Sequence, residues 1–106
     1  MKKKLININC CIFALILLSS QNIKADDLFN QGKQIFLGEG NCATCHTLQD
    51  ANSNGNIGPN LNEIKPGIAR VLSAVTNGIG VMPAYEGQLS PKEIKAVATY
   101  VAESTN

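Results

Sequence analysis

The sequence has no tryptophan, only three Phe and two Tyr, and a single histidine, His46. So few aromatics leave no platform for stacking nucleic-acid bases, and no basic run is interleaved with them. A net charge of +1 supplies no electrostatic footprint for a polyanion. No apolar run reaches the ~20 residues of a membrane span; the longest, Cys10 to Leu18, has nine. No alternating apolar and polar stretch marks a strand, and no repeat or linker divides the chain. These absences leave one small, all-α globular domain.

The even overall charge hides an asymmetry. Lys2, Lys3 and Lys4 precede the apolar run, and polar Ser19 to Asn22 follow it. Ile23-Lys24-Ala25 then ends on a small residue, so residues 1–25 read as a signal peptide cleaved before Asp26. Cys10 and Cys11 begin the apolar run instead of following it, so they leave with the leader and carry no lipid. Residues 26–106 hold five basic and eight acidic side chains, a net charge of −3. With two Phe and two Tyr left, this domain has a thin core, and domains of that size often need a cofactor or a staple.

Asp26-Asp27 opens a helix whose Leu28, Phe29, Gly32, Ile35 and Phe36 recur at three- and four-residue spacing, and Gly38-Glu39-Gly40 ends it. Residues 49–60 are rich in Asn and Gly and read as a loop. Leu61 to Lys65 fits no single pattern. Pro66-Gly67 opens another helix, striped by Ile68, Val71, Leu72 and Val75 and stopped at Asn77-Gly78. After a glycine-punctuated loop over 78–89, Ser90-Pro91-Lys92-Glu93 forms a capping box with Pro at the first helical position. Ile94, Val97, Ala98 and Val101 make that helix's apolar face, with Tyr100 beside it. Loops this long in so short a domain are expected to wrap something.

Cys42-Ala43-Thr44-Cys45-His46 is C-x-x-C-H, the attachment pattern for c-type haem. On a helical turn, positions i, i+3 and i+4 share a face. Two thiols thus reach the two vinyl groups of one porphyrin, and His46 is carried toward the iron. Export agrees with this, because c-type haem is attached outside the cytoplasm. Two other readings use the same residues. A redox disulfide needs an α/β setting that the chain lacks, and a zinc site needs a fourth ligand beyond the three Cys and His residues after position 25.

The second axial position follows by elimination. His46 has no histidine partner, and Met82 is the only Met left once the leader is removed. It lies in Gly78-Ile79-Gly80-Val81-Met82-Pro83, off any helical stripe, where glycines let the backbone approach a flat cofactor. A lone Met is otherwise core filler. Pro59, in Gly58-Pro59-Asn60-Leu61, offers a carbonyl that can accept from His46 Nδ1–H; the same segment reads equally as an ordinary turn.

Taken in order, these motifs, with Asn77 to Tyr85 and Ser90 to Val101, resemble the class I cytochromes c, near the small c6 or c553 kind, over residues 27–104. The resemblance implies a small cytochrome c fold: three to four helices and long loops wrapped around one covalent haem c. It implies that the terminal helices cross at Gly32 and Phe36 against Tyr100, and that Pro59 is the partner of His46. Leu61, Ile68, Leu72, Val81 and Tyr85 become candidates for the pocket wall. The implied function is one-electron transfer between redox proteins without bond chemistry of its own, by a free monomer or by a haem subunit of a periplasmic dehydrogenase. No transit peptide precedes the leader, which favours the periplasm over a photosynthetic lumen.

Overall fold

Two carboxylates, Asp26 and Asp27, sit in the first turn of helix α1 (Ala25–Leu37), where unpaired amide groups favour negative charge. Gly32, Ile35 and Phe36 are its buried face. Gly38 N–H donates to Gln34 O (2.8 Å) and Gly40 N–H to Ile35 O (2.8 Å), closing the C-terminal turn where the sequence places its stop. The computed structural model describes residues 25–106; the expected leader, with Cys10 and Cys11, lies outside the described residues apart from Ala25.

After α1 the chain makes a short 3-10 turn (Cys42–Thr44), then β1 (Thr47–Leu48), a second 3-10 turn (Gln49–Ala51) and β2 (Ser53–Asn54). β1 and β2 pair antiparallel, Thr47 opposite Asn54 and Leu48 opposite Ser53. This small ribbon lies where a plain loop is expected. Two-residue strands are too short to carry an alternation. Ser53 Oγ also bonds Leu48 from its side chain, accepting from the amide at 3.0 Å and donating to the carbonyl.

α2 (Leu61–Ile64) is a single turn, capped by Asn60 Oδ1 accepting from Asn62 N at 3.0 Å. α3 (Ile68–Asn77) and α4 (Pro91–Ser104) follow, close to the expected bounds. The capping box forms as read: Glu93 N–H donates to Ser90 Oγ (3.1 Å) and Ser90 N–H to Glu93 Oε1 (2.9 Å).

The sequence assigns α4 one apolar face, yet every residue from Ala96 to Ala102 is buried. Both α1 and α3 pack on this helix, so small Ala and Thr side chains are enclosed along with the larger ones. The α1–α4 crossing falls where the resemblance places it. Phe29 and Phe36 meet the Tyr100 ring edge-on, at centroid distances of 4.9 and 5.7 Å. Tyr100, Phe36, Leu48 and Val97 are the largest fully enclosed side chains, each contributing roughly 1.5–3 kcal/mol of apolar burial.

The Tyr100 hydroxyl donates to Asp50 Oδ2 (2.7 Å), and Lys33 Nζ lies 3.2 Å from the same oxygen. The second 3-10 turn is thereby pinned to both crossing helices. The bond from Tyr100, and then Lys33, hold the Asp50 carboxyl below its ordinary range, while burial and Asp50 push the Tyr100 phenol up. A depressed carboxyl pKa contributes stability above the unfolded value near 3.8 that is lost as pH falls through the folded one. Asp50→Asn is therefore expected to lower stability at pH 7 relative to wild type. In denaturant titrations the difference should shrink as the pH drops below about 4; a difference that stays constant with pH would exclude the charge as its source.

Candidate functional site

The Cys motif occupies the 3-10 turn and the residue pair that follows. Cys45 N–H and His46 N–H both donate to Cys42 O, at 3.1 and 2.9 Å. The turn is tighter than an α-helix, but the i, i+3 and i+4 residues still gather on one side, against a cavity of about 430 Å³. That volume lies within the ~300–1,000 Å³ typical of small-molecule and cofactor sites. Cys42, Cys45, His46, Pro59 and Met82 all line it, so residues drawn from three separate loop segments meet at one place.

His46 Nδ1 is 2.8 Å from Pro59 O. A carbonyl can only accept, so Nδ1 carries the proton and Nε2 presents its lone pair. Gly58 packs flat on the ring: a Cβ there would lie 2.6 Å from His46 Cε1 and 2.9 Å from Nδ1, so no larger residue fits without turning the imidazole. The ring is thus fixed in tautomer and in plane by two consecutive residues of the Gly-Pro segment.

Met82 stands at the end of a tight turn. Ile79 N–H donates to Met82 O (3.1 Å) and Met82 N–H to Ile79 O (2.9 Å), between Gly78 and Gly80 at positive φ on one side and Pro83 on the other. It is half-buried and packs on the core as well as lining the cavity.

Of the expected wall residues, Leu61, Val81 and Tyr85 line the cavity. Ile68 and Leu72 do not. The face of α3 turned to the cavity runs through Arg70, Val71, Ala74 and Val75, while Leu72 packs at the edge of the core and Ile68 is exposed. Sequence reasoning missed Ile57, Ile64, Ile79 and Arg70. The three isoleucines are exposed apolar side chains at the cavity wall; a lone Ile within an Asn- and Gly-rich loop, as at Ile57, was the available signal. Among the described residues, Arg70 is the one Lys, Arg, Asp or Glu side chain on the wall.

This arrangement bears on the competing chemistries. Burial pushes the Cys42 thiol up to about 11, opposite to the lowered pKa of a redox-active thiol. Among the described residues no three His, Cys, Asp or Glu side chains gather as a metal cluster. A large apolar cavity bearing two thiols, one oriented imidazole and one thioether suits haem, and a guanidinium suits the carboxylates that haem carries.

The family profile described as cytochrome C oxidase, cbb3-type, subunit III matches residues 27–101. Cytochrome c6 of Synechocystis sp. is 30% identical over 89% of this chain and 80% of its own length. The cbb3-type cytochrome c oxidase subunit FixP of Bradyrhizobium sp. is 43% identical over 58% of this chain, but over only 23% of its own length. Among solved structures, the c-type cytochrome SorU of Sinorhizobium meliloti superposes with a TM-score of 0.72 and 51% identity, covering 76% of this chain and 93% of that one. With the haem-attachment spacing at Cys42 and Cys45 set against such a cavity, the chain belongs to the small class I cytochromes c, as a monohaem electron carrier with covalently bound haem c.

Proposed function

We propose that the protein is a periplasmic one-electron shuttle, exported by a leader spanning residues 1–25, with residues 26–106 forming the cytochrome domain. Cys42 and Cys45 would hold the haem covalently, and His46 and Met82 would ligate its iron. The observation that carries this reading is the convergence of all four side chains on one cavity. When bound, haem iron supplies reversible one-electron chemistry, and a His/Met ligand pair favours a high potential.

The chain's own residues orient and exclude. Pro59 O fixes His46 with Nε2 available for the iron. The apolar wall, including Leu61, Val71 and Val75, would surround the bound group with low-dielectric side chains. Two protein ligands leave no open iron position for a substrate, which matches electron transfer and argues against bond chemistry. Donors and acceptors dock transiently.

The exported protein is expected to give a c-type pyridine haemochrome at one haem per chain, with an N-terminus at or near Asp26. A chain without haem would end the reading.

A second reading, a haem subunit of a periplasmic dehydrogenase, draws support from the apolar rim, where Ile57, Ile79 and Val81 are 65%, 67% and 86% exposed. The mass of the native particle separates the two: a free shuttle runs as a monomer, and a subunit runs with its enzyme.

A further inference from the structure

Two of the cavity's walls belong to distant parts of the chain. One carries Cys42, Cys45 and His46; the other is the 78–89 segment that carries Met82. The second wall is well tied to α3, where Tyr85 N–H donates to Val75 O at 2.8 Å and Gly78 N–H to Ala74 O at 2.8 Å. Gln88 N–H and Leu89 N–H both donate to Tyr85 O, so Tyr85 is the fixed point of the segment.

Across the cavity the connection is sparse. The Tyr85 hydroxyl donates to Gly40 O, two residues before Cys42 and 45 residues away in sequence. Among the described residues no other hydrogen bond joins the 78–89 segment to residues 25–65. The Tyr85 ring lines the cavity on its own account, so its apolar contacts and its hydroxyl bond can be separated by substitution.

We propose that Tyr85 is a positioning residue whose hydroxyl latches the Met82 wall to the Cys42–His46 wall, and so sets how often Met82 leaves the iron. This rests on Met82 being the axial ligand. Moving Met82 and its loop away from the Cys42–His46 wall withdraws the thioether, and the Tyr85–Gly40 bond opposes that movement. Phe at this position keeps the ring and removes only the latch.

The test uses the ferric, haem-loaded protein and imidazole as the competing ligand. The readout is the saturating rate at which the thioether-to-iron absorption is lost. Y85F is expected to raise that rate by about two- to tenfold, the factor that one net hydrogen bond supplies. Y100F is the control: it removes a comparable hydroxyl bond, to Asp50, outside the cavity, and should reduce stability without changing the rate. A Y85F rate equal to wild type, or an equal rise in Y100F, would overturn the latch while leaving the ligation intact. A wild-type protein with no thioether-to-iron absorption would overturn the ligation reading, and the latch with it.

Discussion

Met82→Ala is expected to abolish the thioether-to-iron charge-transfer absorption and to lower the reduction potential, while the haem stays attached. Attachment and axial ligation use different residues, so the two properties separate. Cys42 opens the short 3-10 turn and Cys45 follows it, bonded back to Cys42 O, and both are untouched by a change at position 82. His46 keeps its Pro59 partner. On the proposed ligation, what is lost is the soft sulfur that would stabilise reduced iron. Axial ligands span about 0.8 V of haem potential, so a fall on the order of 0.1 V or more is expected. His46 is the only histidine, so no second imidazole is available from the chain to take the position. Redox titration with absorption spectroscopy measures both effects. A variant with an unchanged spectrum and potential would remove Met82 from the iron.

Gly32→Ala should be strongly destabilising. In an exposed helix, Gly to Ala gains up to about 1 kcal/mol. Here the added Cβ would lie 2.1 Å from Ala96 O and 2.6 Å from Tyr100 Cβ. One of these obstacles is backbone, on a helix whose neighbours are fully packed, so relief requires α1 and α4 to separate. Overpacking of this kind costs about 3 kcal/mol or more, a large share of the roughly 5–15 kcal/mol that holds a domain together. Tyr100, wedged between Phe29 and Phe36, loses its edge-on contacts in the same movement. Equilibrium denaturation decides the sign: a stabilised variant would show that the helices do not approach this closely.

Much of this arrangement was legible before any coordinates. α1 and α3 each carry a start signal, a periodic stripe and a stop, α4 carries a capping box and a stripe, and local signals of that kind survive folding unchanged. The Gly58–Leu61 segment reads equally as a partner for His46 or as an ordinary turn, and it was the family resemblance that pointed to the link from His46 to Pro59, which the structure forms. The features that escaped reading are non-local or aperiodic. The ribbon of β1 and β2 has too few residues for a pattern, and α2 is one turn held by the Asn60 cap. The bonds from Tyr85 to Gly40 and from Tyr100 to Asp50 join residues 45 and 50 apart, and nothing in either neighbourhood announces its partner. The misplacement of Ile68 and Leu72 has a different origin. A helical stripe tells which residues are apolar, but it does not tell which part of the stripe meets a neighbouring helix and which part meets the cavity.

The α1–α4 crossing also sets the order in which the molecule can assemble. Gly32 and Ala96 are in contact across more than half of the described chain. Closing a loop of about 60 residues costs roughly 4 kcal/mol of chain entropy before any long-range contact offsets it. All the residues that line the cavity except Val97 and Val101 lie within that loop. A haem already joined to Cys42 and Cys45 would give the loop an apolar centre to collapse on, so attachment before folding lowers the barrier to bringing the two ends together. A staple of the kind the thin core calls for would thus act in the kinetics of folding as well as in the finished structure.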